Sequence, residues 1–261
     1  MTALITQQHL RPISRLSFCY LCGQSFIAGD EINRDHVPPT ALFSVADRTP
    51  PLILATHTRC NSAQTEYDEQ IGQLVSVMHR NPAEASIDRL NFTVRRVANS
   101  PVPAVLLIDF PLRQVVMRWL KGMHAALYRE PLFGTARCML FSPFPESQTA
   151  ESFSPVHPFH AQLVATIKKN RVARQTDLII CRNGKFKYEC VWTKRPDDGL
   201  DSCVFAIDAY GWSDLGDVHH AERRSCVGFY LPLRAAPVAA ARETVITFGF
   251  LNAEPLDAFG Q

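Results

Sequence analysis

Two short ligand pairs, Cys19-x2-Cys22 and His57-x2-Cys60, bracket an Asp35-His36-Val37-Pro38-Pro39 run, and Asn61 follows the second pair directly. Thiolate sulfur and imidazole nitrogen in pairs two residues apart, repeated after a few dozen positions, suit a tetrahedral structural Zn²⁺. Cys19, Cys22, His57 and Cys60 are therefore the expected zinc ligands. Gly23, next to the first pair, fits the tight turn of a knuckle because a residue without Cβ takes positive φ at little cost. Zinc closing this loop would bring Cys22 close to a helix starting near Cys60 and fold the intervening chain back as a hairpin. Asp35, His36 and Asn61 would then become neighbours. A carboxylate and an amide carbonyl are hard oxygen donors suited to Mg²⁺ or Mn²⁺. His36, adjacent to Asp35 on an extended strand, is expected to project from the opposite side of the chain.

At these residues the sequence resembles the HNH (ββα-metal) endonuclease superfamily, in the branch with a zinc knuckle and an Asp-His pair exemplified by phage endonuclease VII. The resemblance covers roughly residues 15–80. It implies that Asp35 and Asn61 hold a catalytic Mg²⁺ or Mn²⁺, that His36 is the general base, and that the substrate is DNA, cut to 5′-phosphate and 3′-hydroxyl ends. Two features depart from the pattern. His57 stands where the family often has cysteine, and no second histidine follows Asn61 on the next helical turns. Asp68 is expected about 10 Å further along a straight helix, too far for ligation, which leaves two protein ligands for the catalytic ion. The rival reading is a non-catalytic zinc module that binds nucleic acid or a protein partner, with Asn61 serving only as a helix cap.

Composition frames this chemistry. The chain has 261 residues and a formal net charge of +2, and the charge is uneven. Residues 81–174 carry 12 Lys/Arg against 6 Asp/Glu, whereas residues 1–80 carry 6 against 7 and residues 175–261 carry 9 against 12. A polyanion such as DNA would be drawn to the basic middle third, because neutralising phosphates releases counterions. No apolar run is long enough to span a bilayer and no leader pattern opens the chain, so the expectation is a cytoplasmic protein with no membrane partner. In a reducing compartment, close cysteine pairs point to metal more than to cross-links. Cys138, Cys181, Cys190, Cys203 and Cys226 are expected to pack as small apolar residues. Two cuts on opposite strands are easiest with two active sites, so a homodimer fits the nuclease reading.

The elements that must position these residues are legible in part. Ala63, Tyr67, Ile71, Leu74, Val75 and Met78 recur at three and four, the stripe of a helix beginning near Cys60 and stopped by Asn81-Pro82. A second helix is expected over 112–129, with Leu112, Val116, Trp119, Leu120, Met123 and Leu127 inward and Arg113, Arg118, Lys121 and Arg129 mostly outward, supplying basic surface. After a Pro/Ser-rich stretch ending near Pro155 the period changes to two. Phe186, Tyr188, Cys190 and Trp192 alternate with Lys187 and Glu189 behind an Asn183-Gly184 turn pair, which predicts a hairpin. Further strands are expected at 202–209, 225–233 and 244–250. The fold class is therefore α+β: a zinc-stapled ββα-metal module (1–80), a helical basic segment (81–150) and a β-rich region of unknown role (151–261).

Overall fold

Alternating apolar residues in the second half of the chain build a single sheet, and the apolar stripe of the middle helix packs onto it. The computed structural model describes residues 2–78, 87–95, 104–132, 137–141, 158–194, 201–209, 226–231, 244–245 and 254–255. In chain order the elements are β1 (Ala3–Leu4), α1 (Gln7–Leu10), β2 (Ile32–His36), β3 (Ile53–His57), α2 (Thr58–Ser62), α3 (Thr65–Met78), β4 (Phe92–Arg95), β5 (Ala104–Leu107) and α4 (Leu112–Tyr128). There follow β6 (Arg137–Phe141), α5 (Pro158–Val172), β7 (Asp177–Cys181), β8 (Phe186–Lys194), β9 (Asp201–Asp208), β10 (Cys226–Leu231), β11 (Thr244–Val245) and β12 (Glu254–Pro255). The molecule is mixed α and β.

Among the described residues, one eight-stranded sheet has the order β1-β7-β8-β9-β10-β6-β12, with β11 also pairing β8. Strands β7 to β10 are antiparallel neighbours, and β1 joins β7 in parallel through Ala3↔Leu178 and Leu4↔Ile179. The expected hairpin is present as β7–β8. Its link is four residues rather than two, since Cys181 pairs with Phe186. Arg182, Asn183 and Gly184 all take left-handed φ, at 56°, 53° and 78°. On one face of β8, Phe186, Tyr188, Cys190 and Trp192 are buried against the core shared with α4. The other face is covered too: α5 packs on β8, β9 and β10, and Leu163, Ile167, Val191 and Val204 are buried. Glu189, which alternates with the apolar residues of β8, is thus buried and answered by Arg171 and by Thr176 at 2.9 Å.

Helix α4 is the central element. Every residue from Val115 to Leu127 is buried, because the helix lies between the N-terminal elements and the sheet. Leu120 and Trp119 share one core with Val37, Leu54, Ile71, Phe186 and Ile207. This corrects the expected outward placement of Arg118 and Lys121, of which 4% and 8% are exposed; only Arg113 and Arg129 face solvent. The basic helix surface expected to grip DNA is to that extent lost. The shared core runs from Leu10 to Ala209 and draws on all three expected segments. The helix stop at Asn81-Pro82 and the Pro/Ser-rich stretch up to Pro155 lie outside the described residues.

Candidate functional site

The N-terminal cluster begins with a tight turn. Gly23 N–H donates to the Cys19 carbonyl at 2.8 Å and Cys19 N–H to the Gln24 carbonyl at 2.9 Å, with Gly23 at φ 76°. Strands β2 and β3 then pair antiparallel from Ile32↔His57 to His36↔Ile53. Helix α2 starts directly after His57, which sets Cys60 and Asn61 in its first turns beside the hairpin. Cys19, Cys22, His57 and Cys60 thereby meet, their ligand atoms all within 4.8 Å of one another. Tetrahedral zinc bonded to sulfur at about 2.3 Å would set its ligands about 3.8 Å apart, so the four residues could hold a metal ion such as zinc.

The thiols of the cluster differ in how readily they ionise. Burial and the neighbouring Cys19 and Cys22 sulfurs push the Cys60 thiol up to about 12. Burial opposes ionisation of Cys19 as well, yet the Thr56 hydroxyl at 3.1 Å and surrounding backbone amides, including His57 N–H at 3.4 Å, bring its thiol down to about 7. Three close sulfurs cannot all be thiolates unless positive charge sits among them. His57 presents Nδ1 to Cys22 Sγ at 3.4 Å, while its Nε2 meets Asp30 Oδ2 at 3.2 Å. A carboxylate on the far nitrogen of a ligating imidazole fixes its tautomer and orientation. Asp30 is held for that role by accepting Ile27 N–H at 2.8 Å.

Asp35 and Asn61 also come together, on a partner the sequence did not reveal. Arg118 of α4 donates from one nitrogen, Nη2, to Asp35 Oδ2 at 2.7 Å and to Asn61 Oδ1 at 3.1 Å. Its Nη1 donates to Asp68 Oδ1, its Nε donates to Tyr20 Oη at 3.2 Å, and Tyr20 in turn donates to Asp35 Oδ2. Burial works against the charge of Arg118, but Tyr20, Asp35 and Asp68 outweigh it and hold its ionisation above the ordinary arginine range. Asp68 is therefore part of this cluster. The helix is interrupted between α2 and α3, where Gln64 N–H turns back to the Asn61 carbonyl at 2.9 Å, and Asp68 reaches the cluster through Arg118 rather than through Asp35 or Asn61. Asn61 is not the cap of its helix, since His57 occupies that position.

His36 lies on the other side of β2 from the buried Asp35, as strand alternation requires, and is half-buried. It makes no hydrogen bond to a described residue. Burial first, and then the nearby Arg182 charge, push its ionisation below the usual 6.5, which keeps the imidazole neutral at neutral pH. The segment after His36 is held from the sheet. Arg182, in the β7–β8 turn, donates to the Pro38 carbonyl at 2.8 Å, to the Arg48 carbonyl at 2.8 Å and to Thr40 Oγ1 at 3.3 Å, and sits over the Phe43 ring.

The structure thus brings together the four expected zinc ligands, and separately Asp35 with Asn61, while His36 stands on the far face of its strand. Asp30 and Arg182 escaped the sequence reading, while Arg118 was read as outward basic surface and Asp68 as too distant for ligation. Asp30 carried no spacing signal, and Arg118 and Arg182 reach these residues from far along the chain. Compared with protein-family models, curated proteins and solved structures, the chain matches none of them.

Proposed function

We propose that this chain is a metal-dependent DNA endonuclease of the HNH type, with Cys19, Cys22, His57 and Cys60 holding a structural Zn²⁺ and Asp35 and Asn61 holding a catalytic Mg²⁺ or Mn²⁺. The observation that carries the reading is the convergence of Asp35 Oδ2 and Asn61 Oδ1 on a single point, 2.7 and 3.1 Å from one cationic nitrogen. Two hard oxygens from a strand and the following helix, next to a Cys3His cluster, form a seat for positive charge, and the neutral His36 follows Asp35 on the opposite face of the same strand. A divalent cation in that seat would offset charge building on the phosphate oxygens. His36 is the residue to take the proton from a water attacking phosphorus. The P–O3′ bond breaks as the new P–O bond forms, and the departing 3′ oxygen is protonated from solvent. Asp35 and Asn61 act by holding the divalent cation, with Asp35 oriented by the Tyr20 hydroxyl.

A second reading, a zinc module that binds nucleic acid or a protein without cutting, has its own support: the seat holds the guanidinium of Arg118 in this structure. Plasmid nicking by the zinc-loaded protein with Mn²⁺ or Mg²⁺ separates the two. The nuclease reading expects nicking that drops about 100-fold or more in His36→Ala, the range for loss of a general base, at unchanged zinc content. Nicking unaffected by that change removes His36 from the mechanism, and no nicking under any divalent cation favours the binding module.

A further inference from the structure

We infer that the Arg118 guanidinium is the resident counter-cation of the Asp35–Asn61–Asp68 seat and must leave Asp35 before those oxygens can take a divalent cation, so that Arg118 sets how much of that cation the protein needs. The inference rests on the nuclease reading only for the identity of the seat. Its warrant is geometric. The same nitrogen of Arg118 meets Asp35 Oδ2 at 2.7 Å and Asn61 Oδ1 at 3.1 Å, and the Arg118 side chain is 3% exposed. A second cation bonded to those two oxygens would therefore have to share their lone pairs with the guanidinium at van der Waals contact.

Charge balance points the same way. Asp35 and Asp68 supply two negative charges, and Arg118 already neutralises one of them. A divalent cation added at Asp35 while Nη2 stays bonded there sets two positive groups on the same oxygens, whereas Arg118 drawn back onto Asp68 leaves Asp35 to the cation and remains paired itself. Like charges a few ångströms apart in a poorly hydrated site repel strongly. Arg118 has an alternative anchor as it withdraws: its Nη1 pairs with Asp68, a residue with 22% of its side chain exposed and so nearer to solvent than Asp35 at 6%. A swing about that outer pair would free the inner oxygens and leave a positive group at the rim, where a phosphate diester would meet it.

The experiment reads Mn²⁺ binding directly, by the loss of the free-ion paramagnetic resonance signal, on the zinc-loaded full chain, and counts only binding that disappears in Asp35→Asn. Arg118→Gln is expected to bind Mn²⁺ about tenfold or more tightly than the wild type, since one repelling charge is gone; Arg118→Lys, which keeps the charge, should stay near the wild type. Equal or weaker binding by Arg118→Gln overturns the inference, as does absence of Asp35-dependent Mn²⁺ binding in both proteins. Should Arg118→Gln fail to fold, a wild-type crystal soaked in Mn²⁺ decides: an anomalous peak beside Asp35 with Arg118 moved off Oδ2 supports the inference, while a peak with the Arg118–Asp35 pair intact, or no peak, sinks it. Tighter Mn²⁺ binding without nicking in any variant would leave this inference standing and remove the nuclease reading instead.

Discussion

Asp30 shows what a single side chain would add to a metal centre built on the Cys3His cluster. It is not a ligand, yet its carboxylate meets His57 Nε2 at 3.2 Å and leaves Nδ1 turned to Cys22. Without it the imidazole, still buried against Phe26, would lose the partner that fixes which nitrogen carries the proton. Removal of such outer partners typically weakens metal affinity 10- to 100-fold. Asp30→Ala is accordingly expected to lose about that factor in zinc affinity in a competition with a chromophoric chelator, while the zinc-loaded variant keeps its fold. Affinity equal to that of the wild type would mean that the Asp30–His57 contact is incidental. The sequence made the four ligands legible because Cys-x2-Cys and His-x2-Cys are local patterns. It left the Asp30–His57 and Arg118–Asp35 pairings illegible for a physical reason: a hydrogen bond across 27 positions, or an ion pair across 83, obeys no spacing rule.

At the scale of elements, the 3.6 period of α4 was readable and its environment was not. The residues expected to face inward do so, but Arg118 and Lys121 on the supposed outer face are covered as well, Lys121 reaching the Leu21 carbonyl at 3.2 Å. A pattern of apolar residues tells which face must be buried; it does not tell whether the opposite face finds polar partners that let it be buried too. Gly122 marks how close the helix comes to the segment after His36. A Cβ at that position would meet Val37 Cγ1 at 2.7 Å and Leu54 Cδ1 at 3.2 Å. In an exposed helix glycine to alanine favours folding, but here overpacking dominates and costs about 1–3 kcal/mol. Gly122→Ala should therefore lower the urea midpoint, and a rise in that midpoint would mean that α4 can draw back from Val37 without loss. The β7–β8 hairpin teaches the same lesson in a different element. Asn183-Gly184 located the turn, but the three left-handed residues that let Arg182 reach back to Pro38 are set by the docking of that turn against residues 38–50.

For the whole molecule, the pairing of β1 with β7 and a core drawing on Leu10, Val37, Leu54, Trp119, Phe186 and Ile207 tie the beginning of the chain to its second half. Local periodicity cannot reveal such pairing, which is why a division into three segments at about residues 80 and 150 was the natural reading and a core shared by all three was not. This has a thermodynamic consequence for the metal. A structural ion that binds only the folded state adds its binding free energy to folding. In a module with its own core, stripping the ion would melt that module alone. Here the hairpin residues Leu52 and Leu54 pack in the same cluster as Trp119 and Phe186, so loosening the zinc cluster should weaken the common core. Chelation is thus expected to move one calorimetric transition of the full chain to lower temperature, with ratios of calorimetric to van't Hoff enthalpy staying near unity before and after. Two resolved transitions after chelation, the upper one at the original temperature, would show that the zinc-bearing segment folds independently of α4 and the sheet.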